Sequence, residues 1–235
     1  MNIPLVNLKA QYNSIKAEID NAIMRVIDNT SFIMGEDVER FEKEFAEFCG
    51  RRYCIGVSSG TEALRLTLIA LGIKQGNEII TVPNTFIATA EAITTVGAKI
   101  RFIDVDDKTY NIDTNQIRSA ITDNTKAILP VHLYGQPAEM DEIIEIADEN
   151  NLIVIEDCAQ AHGSEYKKKR VPISPVGCFS FFPGKNLGAF GDAGAVVTDN
   201  KEIVEKVSML RDHGRAKGEK YRHNVIGYNS RIDTL

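Results

Sequence analysis

The hydrophobic positions change their period along the chain. Near the start, Ile15, Ile19, Ile23 and the Val26/Ile27 pair recur at helical spacing, which predicts an extended arm and a helix over residues 1–30. Val38, Phe41, Phe45 and Phe48 form a second amphipathic stripe, and Gly50 ends it. From residue 54 onward, short apolar runs alternate with helical patterns. Strands are predicted at 54–57, 79–82, 100–103, 127–131, 152–155, 178–182 and 195–198. Helices are predicted between them at 60–71, 85–96, 117–121 and 140–147, with a last one at 202–210. The run Leu152-Ile153-Val154-Ile155 is apolar without a break, as a strand covered on both faces requires. This rhythm predicts an α/β fold, a mainly parallel seven-stranded sheet flanked by helices over residues 31–235. In such sheets ligands sit beyond the carboxyl ends of the strands, so the polar residues just after each strand are the candidates for chemistry.

Four segments stand at such ends. Ser58-Ser59-Gly60-Thr61-Glu62 joins a strand to a helix. The first turn of a helix leaves N–H groups unpaired and favours an anion, and small residues let a phosphate come close. The same residues also suit a plain N-cap by Ser59 or Thr61. Glu156-Asp157 follows a buried strand. An acid there needs a positive partner or a set of donors, and a protonated pyridine nitrogen would serve, worth about 4 kcal/mol at about 4 Å and an effective dielectric near 20. A helix N-cap or a surface ion pair would satisfy Asp157 equally. The run 179–188 ends a strand in a tight turn that carries Ser180 and Lys185. A half-buried lysine with a neutral amine can bond covalently to an aldehyde, and Ser180 can donate to a phosphate, although an exposed lysine in a Gly-rich loop is the commoner outcome. Phe86, at the start of a helix, suits stacking on a flat ring or a place in the core.

Composition narrows the setting. A net charge of −6 gives no reason to expect nucleic-acid binding, and Lys167-Lys168-Lys169-Arg170 reads as a solvated turn. No apolar run reaches the roughly 18 residues that span a bilayer, and Met1-Asn2-Ile3-Pro4 does not open a secretory signal. The four cysteines form no C-x-x-C pair and suit buried small hydrophobes in a reducing cytoplasm. No metal site is expected from their spacing. No G-x-G-x-x-G follows the first strand, which argues against a dinucleotide-binding protein.

Taken in order, several segments resemble the DegT/DnrJ/EryC1/StrS sugar aminotransferases of the aspartate aminotransferase superfamily (fold type I). They are Phe32-Ile33-Met34-Gly35, Ser59-Gly60-Thr61-Glu62-Ala63-Leu64, Pro83-Asn84-Thr85-Phe86, Glu156-Asp157-Cys158-Ala159-Gln160-Ala161-His162-Gly163, 179–188 and Gly227-Tyr228-Asn229-Ser230-Arg231. The resemblance implies pyridoxal 5'-phosphate (PLP) as cofactor and Lys185 as the residue that holds it covalently and then carries a proton. It implies that Asp157 pairs with the ring nitrogen, Gln160 bonds the ring hydroxyl and Phe86 stacks on the ring. Gly60, the N–H groups of Thr61 and Glu62, and Ser180 would cradle the phosphate. Asn229 would reach the phosphate of a neighbouring subunit in a homodimer with shared active sites. The implied reaction moves an amino group from L-glutamate to a nucleotide-linked keto-deoxysugar. The runs 186–192 and His132-Leu133-Tyr134-Gly135-Gln136 resemble those of dTDP-3-keto-6-deoxyhexose 3-aminotransferases. Family members continue into a smaller C-terminal domain, which this chain is expected to lack, leaving a PLP-binding fragment as the rival reading. The related sugar dehydratases carry histidine in place of the lysine, so Lys185 argues against that activity. Glu36 stands where relatives often have proline.

Overall fold

The computed structural model describes residues 4–235; the start of the expected arm, residues 1–3, lies outside the described residues. The helix predicted near the start is two, α1 (Leu8–Ser14) and α2 (Lys16–Asp28), because Ile15 leaves helical geometry at φ −126°. The apolar period runs straight across that break, so the pattern alone does not show it. Helix α3 (Glu36–Phe48) follows, with Glu36, Asp37 and Glu39 in its first turn, where the helix dipole favours acids.

The alternation then runs β1 (Tyr53–Val57), α4 (Gly60–Ala70), β2 (Glu78–Thr81), α5 (Ile87–Thr95), β3 (Lys99–Phe102), α6 (Thr114–Ala120), β4 (Thr125–Ile128), α7 (Met140–Glu149), β5 (Ile153–Val154) and β6 (Glu156–Asp157). A short hairpin of β7 (Glu165–Tyr166) and β8 (Lys169–Arg170) turns through Lys167 and Lys168, so the basic run is a solvated turn as expected. Strands β9 (Val176–Ser180) and β10 (Gly194–Thr198) and helix α8 (Lys201–Arg211) complete the order.

The expected seven-stranded sheet is divided into two four-stranded ones, β1-β10-β9-β6 and β3-β2-β4-β5. The division falls at Ile155, where one predicted strand leaves the β4 ladder and joins β9. Pro130 offers no N–H beyond β4, so the regular ladder cannot continue there. Single bonds still keep the halves in line: Ile155 N–H donates to Ile128 and Asp157 N–H to Pro130, at 3.0 and 2.9 Å. Pairing is parallel except where β10 runs antiparallel between β1 and β9.

Alternate side chains of these strands feed two cores. Val176, Cys178 and Val196 face the larger one under α4 to α8, whereas Phe179, Ala195 and Val197 face Val38 and Phe45 of α3. Burial on both faces explains the unbroken apolar runs, each large side chain contributing about 1.5–3 kcal/mol. One ion pair, between buried Arg211 and half-buried Glu42, ties the layers together. Glu42 of α3 accepts from Arg211 of α8 and from the Gly56 N–H of β1, and Arg211 also donates to the Gly56 carbonyl. The thiols of Cys49, Cys54, Cys158 and Cys178 are buried and unbridged. Burial pushes Cys49 and Cys178 up to about 12 and raises Cys54 and Cys158 as well.

Candidate active site

Strands β1, β4, β6 and β9 end at one edge of the sheets, and antiparallel β10 begins there. A cavity of about 420 Å³ opens at that edge, lined among others by Gly60, Thr61, Phe86, Asp157, Gln160, Ser180 and Lys185. Seven of the predicted site residues therefore meet in one place, although they span 126 positions from 60 to 185. Thr85, Leu64, Val131, Ala159, Phe182 and Asp192 complete much of the wall.

The anion-binding wall is the start of α4. Ser59 is extended and caps the helix, its hydroxyl accepting the Glu62 N–H at 3.1 Å. The N–H groups of Gly60 and Thr61 sit in the same open turn, where a helix provides no internal acceptor. Of the two expected backbone donors, Thr61 lines the cavity, while Glu62 lies outside the lining with its N–H in the cap. Glycine is required twice here. A Cβ at Gly60 would stand 2.6 Å from the Ser180 Cβ, and one at Gly194 would stand 2.3 Å from the Ser59 carbonyl carbon. These contacts seat the helix end against β9 and β10 and bring the Ser180 hydroxyl beside it.

The acidic wall is Asp157, only 6% exposed at the end of β6. Thr89 Oγ1 donates to one carboxylate oxygen at 2.8 Å and the Ala159 N–H to the other at 3.1 Å. Both partners are neutral, so burial raises the carboxyl above its ordinary value, while these donors and the nearby Lys185 charge hold it back. The adjacent Glu156 takes a different partner: His132 Nε2 lies 2.7 Å away, with both side chains fully buried. His132 Nδ1 accepts the Ala138 N–H at 3.1 Å, which leaves Nε2 as the donor to Glu156. Thr89, held by Thr85 at 2.8 Å, is a site residue that the sequence reading missed. The only available signal was two hydroxyls four positions apart around the start of a helix.

Gln160 is fixed by the Tyr134 N–H, which donates to its Oε1 at 2.8 Å and leaves the amide nitrogen as a donor. Tyr134 adopts φ 51°, an uncommon value for a residue with a side chain, in a 3-10 turn the sequence reading did not foresee. Phe86, at the N-cap of α5, is 67% exposed rather than a core aromatic. Helix α5 begins at Ile87, two residues after the predicted start, because Phe86 is extended. Lys185 is half-buried in the turn after β9, its N–H bonded to Phe182 O at 2.8 Å. Asn229 is exposed and outside the cavity lining, its side-chain oxygen accepting from Arg231 at 2.8 Å.

His162 sits below the site among Phe45, Phe179 and Phe181. Neither ring nitrogen has a hydrogen-bond partner of good geometry, although the Ser180 backbone lies alongside. Burial pushes its pKa down to about 4. A depressed histidine stabilises the fold above its unfolded pKa and loses that contribution as pH falls. Between about pH 6.5 and 4, roughly 2 kcal/mol of stability is expected to disappear. Urea unfolding at pH 7 and pH 4.5 should show a smaller loss for His162→Leu than for the wild type.

Comparisons with known proteins bear on the family and the fold. The model of the DegT/DnrJ/EryC1/StrS aminotransferase family matches residues 13–235. The chain is 44% identical over 234 residues to the dTDP-3-amino-3,4,6-trideoxy-alpha-D-glucose transaminase of Streptomyces venezuelae, covering 99% of this chain and 61% of the relative. It is 47% identical over 234 residues to the UDP-N-acetyl-3-dehydro-alpha-D-glucosamine 3-aminotransferase of Acidithiobacillus ferrooxidans, covering 99% of this chain and 63% of the relative. The fold superposes on the crystal structure of S. venezuelae DesV with a TM-score of 0.96 at 44% identity, covering 99% of this chain and 62% of that one. For the crystal structure of NtdA from Bacillus subtilis with bound cofactor PMP, the TM-score is 0.93 at 36% identity, covering 99% of this chain and 53% of that one. The chain thus spans less than two thirds of the length of the relatives it matches. Among the described residues no helix is long and apolar enough to cross a membrane. By the match along its length and by its fold, the chain belongs to the DegT/DnrJ/EryC1/StrS aminotransferase family.

Proposed function

We propose that this cavity holds pyridoxal 5'-phosphate and serves the transfer of an amino group from L-glutamate to a nucleotide-linked keto-deoxysugar. The observation that carries the reading is the meeting of Lys185, Asp157 and the first turn of α4 around one cavity of about 420 Å³. The donor set fits the cofactor. Gly60 and Thr61 N–H groups with the Ser180 hydroxyl suit a phosphate. A buried acid with only neutral partners suits a ring cation, and Phe86 offers an exposed ring for stacking. PLP supplies, when bound, an aldehyde that takes up the amino group and a ring that withdraws electrons. The chain's own part is to hold, orient and move protons. Asp157, braced by Thr89, keeps the ring nitrogen protonated, and the Gln160 amide holds the ring hydroxyl. The Lys185 amine would hold the cofactor covalently, and as a free amine it would serve as the proton carrier of the site.

Residues 31–235 form the cofactor-binding large domain in this reading, with residues 4–30 as an arm and two helices. The working unit is a homodimer, supported by the exposed Asn229 and by Tyr134, Tyr221 and Ile226, large side chains that a second copy would cover. The relatives named above act, by their names, on dTDP- and UDP-linked sugars, and the substrate class is carried over from them. Four buried, unbridged thiols support a reducing cytoplasm as the setting.

Titrating the purified protein with PLP should produce a visible absorbance band, which L-glutamate should bleach while 2-oxoglutarate accumulates. A protein that stays colourless at saturating PLP would end this reading. One that colours but ignores glutamate would retain cofactor binding without the transfer.

A further inference from the structure

The α4 turn carries an electrostatic problem. Its third residue is Glu62, an acid in the turn that the proposed function assigns to a phosphate. Acid and phosphate would compete for the same N–H groups and the same end of the helix dipole. The structure shows how the carboxylate is occupied. Arg65, one turn further along, forks onto it with Nε and Nη2 each 2.7 Å from an oxygen. The Ser230 hydroxyl donates a further bond to Glu62 Oε2. The guanidinium is itself pressed on the Tyr228 ring, 3.9 Å from its centroid. Tyr228 and Ser230 are fastened in turn, their N–H groups donating to Leu210 and Arg211 carbonyls at 2.7 and 2.9 Å. Glu62 does not line the cavity. Burial pushes its carboxyl up, but the Arg65 fork and Ser230 outweigh it and hold the group below its ordinary value, so it stays charged.

We propose that Arg65 is a positioning residue for the cofactor phosphate: it neutralises Glu62 and, with Ser230 and Tyr228, keeps that carboxylate off the anion-binding turn. This rests on the reading of the cavity as a PLP site. Neither Arg65 nor Glu62 lines the cavity, so Arg65 acts through charge and orientation alone.

The test compares binding of PLP with binding of pyridoxal, which lacks the phosphate, by visible absorbance, with melting temperature as a fold check. Arg65→Met should raise the Kd for PLP about tenfold or more, the change that about 1.4 kcal/mol produces, and shift that for pyridoxal less than about twofold. Adding Glu62→Gln to it should restore PLP affinity to within about threefold, because the two side chains act as a pair. Glu62→Gln alone, which is expected to fold most readily, should match the wild type or bind PLP more tightly. Equal weakening toward both aldehydes, failure of the double variant to recover, or weaker PLP binding by Glu62→Gln would overturn the inference while leaving the site reading intact. A wild type that binds neither aldehyde would overturn both.

Discussion

Lys185→Ala is expected to abolish amino transfer while leaving the fold standing. The side chain is half-buried in a turn whose backbone bond, Lys185 N–H to Phe182 O, does not depend on it. Truncation therefore removes little packing, and the melting temperature should change by no more than a surface substitution does. The chemical loss is large because two tasks end together, covalent attachment and proton transfer. A positioned proton-transfer group alone is worth about 10²–10⁴-fold, so glutamate-dependent 2-oxoglutarate formation should fall by at least that factor. Borohydride reduction with PLP followed by mass spectrometry separates the tasks. The wild type should gain one reduced cofactor, and the variant none. A variant that still gains it would place the reactive amine elsewhere and remove Lys185 from the mechanism.

Asp157→Asn is expected to trade activity for stability. In the cofactor-free protein the carboxyl is buried between neutral donors, and its pKa is raised. A carboxyl whose folded pKa exceeds its unfolded value favours the fold at low pH and loses that contribution as pH rises through the folded value. Once ionised, the carboxylate of the cofactor-free wild type is a buried charge held only by neutral donors, which asparagine does not carry. The variant's melting temperature should gain on that of the wild type as pH rises through the folded value. With PLP the order reverses, since the charged pair at the ring nitrogen is lost. At about 4 kcal/mol for a pair near 4 Å, the glutamate half-reaction should slow by about 10²–10³-fold. Scanning calorimetry with and without PLP, beside stopped-flow absorbance, measures both sides. If asparagine lowers stability in both states, Asp157 is an ordinary buried acid and its role at the ring is wrong.

The parts of the fold legible in the sequence are those with local causes. Strand and helix alternation follows from period, and the strand ends then point to Gly60, Thr61, Asp157, Gln160, Ser180 and Lys185, which the structure brings to one cavity. The misses share a different cause. Thr89 braces Asp157 across 68 positions, and nothing within either segment announces the partner. The wall at Asp192 depends on β10 returning antiparallel beside β9. The break at Ile155 depends on Pro130, a residue of the neighbouring strand. The hairpin 165–170 has strands of two residues each, too short for a period to register. The structural role of His132, a buried bond to Glu156, was not legible because it is satisfied only after two strands meet.

The buried thiols have a practical consequence. Only the thiolate is attacked by alkylating reagents, and here every native thiol is both shielded and held far from ionisation at neutral pH. A fluorophore maleimide will therefore pass over the intact molecule. A single cysteine introduced at an exposed position such as Glu145 of α7 becomes the sole handle for a dye, so energy transfer between copies can be recorded without first stripping the chain of its own sulfur.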